Sequence, residues 1–229
     1  MSVQILPERL ERFLKPEFHL REGTGKGVNG YVDVCAMQAV SWLAGYTHFN
    51  DSPECVCPVL RRYIIRLNDS WLFRDHRDEL KPFLPRTIGT RGDRKLSVQR
   101  GFIAADYAVR KFAPIWLRML KREEWAAELE SVPPVADRKS AEVARDAARK
   151  IRQAAYAAAD AAAYAAADAA AYAAADEAAY AAADAAADAA ADAAADADEA
   201  ADAAADAAFR ASLLSAALEC LEAMIMCHA

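Results

Sequence analysis

The sequence predicts an all-α protein: a compact multi-helix head followed by a very long alanine-rich helix. Three observations carry that expectation. Apolar residues across 7–131 recur at three- and four-residue spacing, strand-like β-branched alternation is missing, and residues 154–208 consist mainly of the best helix former. In that tract 39 of 55 positions are Ala, with 10 Asp, 2 Glu and 4 Tyr. The other 174 residues are about 48% apolar, an ordinary globular value. Three segments result: a head over 1–134, an Ala/Asp/Tyr-repeat helix over 135–208 and an amphipathic helical segment over 209–229.

Pro7 opens the first helix, since a first-turn residue needs no N–H partner. Four of the eight glycines fall in 21–30, which reads as a loop. Val34, Met37, Val40, Ser41 and Ala44 then recur at helical spacing, with Gly45 as the stop. Pro58 starts the next helix, with Leu60, Ile64 and Leu67 along one face. A short helix covers 77–80, turn chemistry covers 85–93, and helices follow over 96–112, 115–121 and 123–130. Val132-Pro133-Pro134 ends the head. Trp42, Trp71, Trp116 and Trp125 supply core volume, so about six helices pack as a bundle.

The tract is a repeat. Tyr156, Tyr164, Tyr172 and Tyr180 are eight apart, Asp160, Asp168, Asp176 and Asp184 lie midway, and Asp188 and Asp192 continue at four. A four-residue step advances about 40° around a helix, so these stripes wind right-handedly and make no single apolar face. That argues against an ordinary left-handed coiled coil, which needs an apolar period near 3.5. An unbroken helix from 137 to 226 would be about 130 Å long. The alternative is a helical hairpin turning at 196–199, where the repeat breaks register. Beyond it, Phe209, Leu213, Leu214, Leu218, Leu221, Met224 and Ile225 form an amphipathic face, for docking on the head or for self-association.

Charge is divided between these segments. The chain totals −6, the tract −12 and residues 209–229 −1, so the first 153 residues carry +7. Such asymmetry points to electrostatic partners, although the Asp residues also keep an alanine rod soluble. No run of about 20 large apolar residues is present, and the first residues lack a signal-peptide pattern, so a cytoplasmic protein without a membrane span is expected.

Chemical constellations are sparse. Cys35 falls at a helix start, where the backbone dipole acidifies a thiol, and His48 and Asp51 follow it. That set would suit a Cys–His enzyme. With Cys55 and Cys57, Cys35 and His48 would instead offer four zinc ligands, although Cys-x-Cys departs from the usual spacing. Neither a metal nor a cofactor is the leading expectation. Five Cys argue against a disulfide framework. Arg86, Thr90 and Arg91 lie in a Gly-containing turn that suits a phosphate or carboxylate. Arg61, Arg62 and Arg66 share a helix and read as a nucleic-acid contact or a solvated face. Neither GxGxxG nor GxxxxGK[ST] occurs.

The order Met37-Gln38-Ala39-Val40, Leu43-Ala44-Gly45, Asp51-x-Pro53-x-Cys55-Val56-x-Pro58-Val59, Asn68-Asp69 and Pro85-Arg86-x-x-Gly89-Thr90-Arg91-Gly92 resembles a family of uncharacterised phage and bacterial proteins. The likeness spans about 33–120 and implies a small helical head with an Ala-rich tail. It carries no activity. It implies a phage accessory or anti-defence role in the host cytoplasm, and a polar site of Asn68, Asp69, Arg86, Thr90 and Arg91.

Three functions compete. The leading expectation is a non-enzymatic interaction protein whose acidic rod touches a host protein complex or a second copy. In its sharper form the rod mimics nucleic acid, since Asp at every fourth residue repeats at about 6 Å. The second is a nucleotide- or small-anion-binding head with the tail as spacer. The third is a Cys35-dependent enzyme.

Overall fold

Proline and glycine set several of the helix ends. The computed structural model describes residues 4–23, 33–47, 50–157 and 203–228, and these are mostly helical. Helix α1 spans Pro7–Phe13 with its proline in the first turn. A minimal parallel pairing of β1 (His19–Leu20) with β2 (Asp33–Val34) follows, which the sequence pattern does not announce. Helix α2, Ala36–Leu43, is buried at every position rather than along one face, so it is the central element of the core. Gly45 ends it at φ +82°, a backbone geometry that favours glycine.

Helix α3 spans Pro58–Asp69 and buries Leu60, Ile64 and Leu67 as their spacing predicts. The segment read as pure turn contains a one-turn helix, α4, Leu84–Thr87, before Gly89 reverses the chain at φ +82°. Helix α5, Arg94–Tyr107, begins two residues earlier than expected because the Asp93 carboxylate caps it, accepting from the Leu96 N–H at 2.8 Å. A π-turn at Ala108–Phe112 joins α5 directly to α6, Ala113–Met119. Pro114 lacks an N–H and its ring would clash with a carbonyl in an ordinary α-turn, so the widened turn lets the rod continue past it. Helix α7, Glu123–Ser131, and helix α8, Arg138–Ala157, complete this half.

The last described helix, α9, is Ala203–Met226. Its Phe209, Leu213, Ala216, Ala217, Cys220, Leu221, Met224 and Ile225 are buried in the same core as Phe13, Met37, Leu60, Tyr63 and Trp116. The Tyr63 hydroxyl donates to the Ala217 carbonyl at 3.1 Å, and Trp116 meets Phe209 with ring centroids 5.1 Å apart. Burial raises the Tyr63 phenol well above its ordinary value, so it stays a neutral donor. Of the face read as oligomer or docking surface, Leu221 and Ile225 lie in this core and Leu214 and Leu218 pack partly buried on its edge. That face is thus docked on the chain's own body.

A second core lies behind α5 to α7. Ala141, Ala144, Ala148, Ile151 and Ala155 of α8 pack on Ala105, Val109, Ala113, Leu117 and Leu129. The three- and four-residue spacing of small side chains lets α8 approach closely. Thus α8, on one side of residues 158–202, and α9, on the other, both rest on the same body, and both touch α5. The proposed contacts Asp160, Tyr164, Asp168, Tyr172, Asp176, Tyr180, Asp184, Asp188 and Asp192 lie outside the described residues, as do the course of the tract and His48. The Tyr156 and Trp71 side chains are likewise not described. Among the described residues, no helix is long and apolar enough to cross a membrane.

Candidate functional site

The polar residues singled out by sequence fall at opposite ends of α3, about 17 Å apart for a twelve-residue helix. At its C-terminal end, buried Asn68 uses its side-chain carbonyl to accept from the Ala36 N–H at 3.2 Å, and its amide donates to the Arg21 carbonyl at 2.9 Å. Asp69 accepts from the Gly23 N–H at 2.9 Å. Together with Cys35, Met37 and Asp51 they line a crevice of only about 20 Å³. Asn68 and Asp69 thus tie loops to helix starts, and the five-residue polar site implied by the resemblance is not assembled.

Cys35 does cap α2, and its N–H donates to the Gln38 side chain at 3.2 Å. Burial nevertheless pushes its thiol up. Hydrogen bonds at Gln38 and Met37 oppose that, Asp69 and Asp51 add to it, and the net shift is upward. Acidification by the helix start is therefore outweighed. The zinc alternative also fails to assemble: Cys35 sits at the Asn68 end of α3, whereas Cys57 caps the other end, and no metal-binding cluster occurs among the described residues.

The N-terminal end of α3 holds the larger site. The 89–91 turn hangs on residues 54–57. Gly89 and Arg91 both donate their N–H to the Cys55 carbonyl, at 3.0 and 3.2 Å, and the Cys57 N–H donates to the Thr90 hydroxyl at 3.1 Å. The Arg91 guanidinium donates to the Glu54 carbonyl at 3.1 Å and stays exposed. Across a cavity of about 380 Å³ stands the end of α9, so Arg86, Arg91, Arg100, Ile88, Leu96, Ile225, Met226 and His228 line one pocket with Thr90. The predicted trio Arg86, Thr90 and Arg91 is brought together here. Thr90 works as a brace, its hydroxyl donating to the Thr87 carbonyl at 2.6 Å.

Sequence reading missed Arg100 and Glu222. Arg100 is only 1% exposed. Its guanidinium donates to the carbonyls of Thr90 at 2.7 Å, Met224 at 2.9 Å and Cys227 at 3.1 Å. The last two close α9, where helix carbonyls present partial negative charge that stabilises a cation. Burial pushes the neighbouring Cys57 thiol up, but hydrogen bonds from Arg100, the Leu60 N–H, Ser97 and the Val59 N–H hold it below its ordinary value. The signal for Arg100 was available: with Ser97 and Ala104 it shares the buried stripe of α5.

Arg86 is held by Glu222 in a bidentate pair, both bonds 2.6 Å, with each side chain 42% exposed. That hydrogen bonding holds the Glu222 carboxyl below its ordinary value and raises Arg86. Compared with protein-family models, curated proteins and solved structures, the chain matches none. The pocket's chemistry is consequently read from its own residues. With Glu222 spent on Arg86, the Arg91 and Arg100 charges give the pocket a net positive field that suits a small anion.

Proposed function

We propose that the chain is a non-enzymatic binding protein whose body takes a small anion, phosphate or carboxylate, in the pocket between the 86–92 turn and the end of α9. The observation that supports it is the convergence of Arg86, Arg91 and Arg100 on one cavity of about 380 Å³, at the low end of ligand-site volumes. Titration calorimetry of the full chain with inorganic phosphate tests it. Saturable heat that weakens at least tenfold in Arg91→Ala and fades with added salt is expected. No heat at millimolar phosphate would overturn the reading.

An interaction protein is the second reading. It is favoured by the seating of α8 and α9, the helices on either side of residues 158–202, on one body. The acidic residues would then serve a basic protein partner, by nucleic-acid mimicry in the sharper version. A phage accessory or anti-defence role belongs to this reading and rests on resemblance. Joint Asp→Asn changes at 160, 168, 184, 188 and 192 should abolish capture of that partner while leaving helix content unchanged by circular dichroism. Undiminished capture would sink it.

A further inference from the structure

The pocket lining is chemically mixed, and that mixture bears on what enters it. Its lining combines the polar side chains of Arg86, Arg91, Arg100 and His228 with the apolar ones of Ile88, Leu96, Ile225 and Met226, and the Arg86 guanidinium donates to the Met226 Sδ at 3.4 Å. Met226 is 56% exposed, an unusual position for a large apolar side chain at a charged rim. No aromatic side chain is among the lining residues, so the pocket lacks the stacking platform a nucleobase prefers. Glu222, meanwhile, already occupies Arg86 as an internal carboxylate.

We propose that the ligand is a phosphate monoester of a short aliphatic alcohol, whose dianionic head takes Arg86 from Glu222 while its chain lies along Ile88, Leu96, Ile225 and Met226. This rests on the anion reading above. A monocarboxylate arriving at Arg86 exchanges one carboxylate for another and gains little. A phosphate monoester carries about −1.5 to −2 charge near neutral pH and can engage Arg86 and Arg91 together, each through a forked guanidinium. The Arg100 charge behind them, fixed by main-chain carbonyls, adds to the attraction without having to move. The aliphatic side chains of the lining then discriminate between esters. Each methylene fully removed from water strengthens binding about fourfold, so a half-buried butyl chain is worth roughly tenfold.

The experiment is calorimetric titration of the full chain, wild type and Glu222→Gln, with inorganic phosphate, n-butyl phosphate, butyrate and adenosine monophosphate. Glu222 is an exposed partner, so the variant keeps its fold, which circular dichroism verifies. Butyl phosphate should bind wild type about tenfold more tightly than phosphate, butyrate should bind least, and Glu222→Gln should tighten both phosphates severalfold by removing the internal competitor. Equal affinity for phosphate and butyl phosphate, tighter binding of the nucleotide, or a weaker Glu222→Gln would overturn this inference and leave the anion reading standing. Absence of heat from every anion in both proteins would remove that reading as well.

Discussion

Removing α9 should unfold the body, although α9 is separated from the rest by the whole Ala/Asp/Tyr tract. The perturbation is a chain ending at residue 202. It deletes Phe209, Leu213, Leu221, Met224 and Ile225 from a shared core. Each such side chain contributes about 1.5–3 kcal/mol on burial, so their joint loss is on the order of 10 kcal/mol. That already matches the roughly 5–15 kcal/mol total stability of an ordinary domain. The same cut strips the Met224 and Cys227 carbonyls from Arg100 and leaves a buried guanidinium short of partners, at about 1–3 kcal/mol more. The assay is urea unfolding followed by tryptophan fluorescence, to which Trp116 beside Phe209 contributes. The matching control replaces residues 158–202, 45 positions, with a 20-residue Gly/Ser linker. Closing a shorter loop changes stability by only about 1 kcal/mol, so this chain should unfold cooperatively near the wild-type midpoint. A 1–202 chain with a wild-type midpoint would refute the packing argument.

Three further outcomes are expected. Arg100→Met should lower stability by about 2–4 kcal/mol in urea titration, because the carbonyls of Thr90, Met224 and Cys227, one buried and two part-buried, lose their donor; an unchanged midpoint counts against the role given to Arg100. Arg86 and Arg118 hold Glu222 and Glu130 below the ordinary 4.5, so their stabilisation is complete above about pH 4.5 and lost as pH falls through the lower folded values. The pairs are about 40% exposed, which limits each to about 1 kcal/mol, and the joint Glu→Gln variant should flatten that acid limb of the midpoint-versus-pH curve. Iodoacetamide at pH 7.5, read by mass spectrometry, should label half-buried Cys227 first and spare Cys35 and Cys220, whose thiols burial pushes up, that of Cys220 to about 12; early labelling of Cys35 would revive the enzyme reading.

Helical character was legible wherever local chemistry decides it. Pro7, Pro58 and Gly45 mark ends that the structure keeps, and Leu60, Ile64 and Leu67 point inward as their spacing demands. Long-range packing was less legible. The apolar face from Phe209 to Ile225 announced burial but not against what, since periodicity carries no address. The π-turn before Pro114 was hidden because a proline reads locally as a break, whereas the wider turn carries the helix past it. Of the pocket, Arg86, Thr90 and Arg91 were readable from the turn, while Arg100, Glu222 and Met226 belong to elements that tertiary folding alone brings there.

The place of α9 in the core also sets the order of events during synthesis. When residue 157 emerges from the ribosome, Tyr63, Trp116 and Arg100 still lack the partners encoded beyond residue 208. The 71 residues up to 228 take about 4–14 s to translate at 5–20 residues per second. For that interval the apolar surface that α9 covers in the folded chain lacks its partner. Folding of this body is therefore completed only once residues 203–228 have been made, well after the elements they pack against.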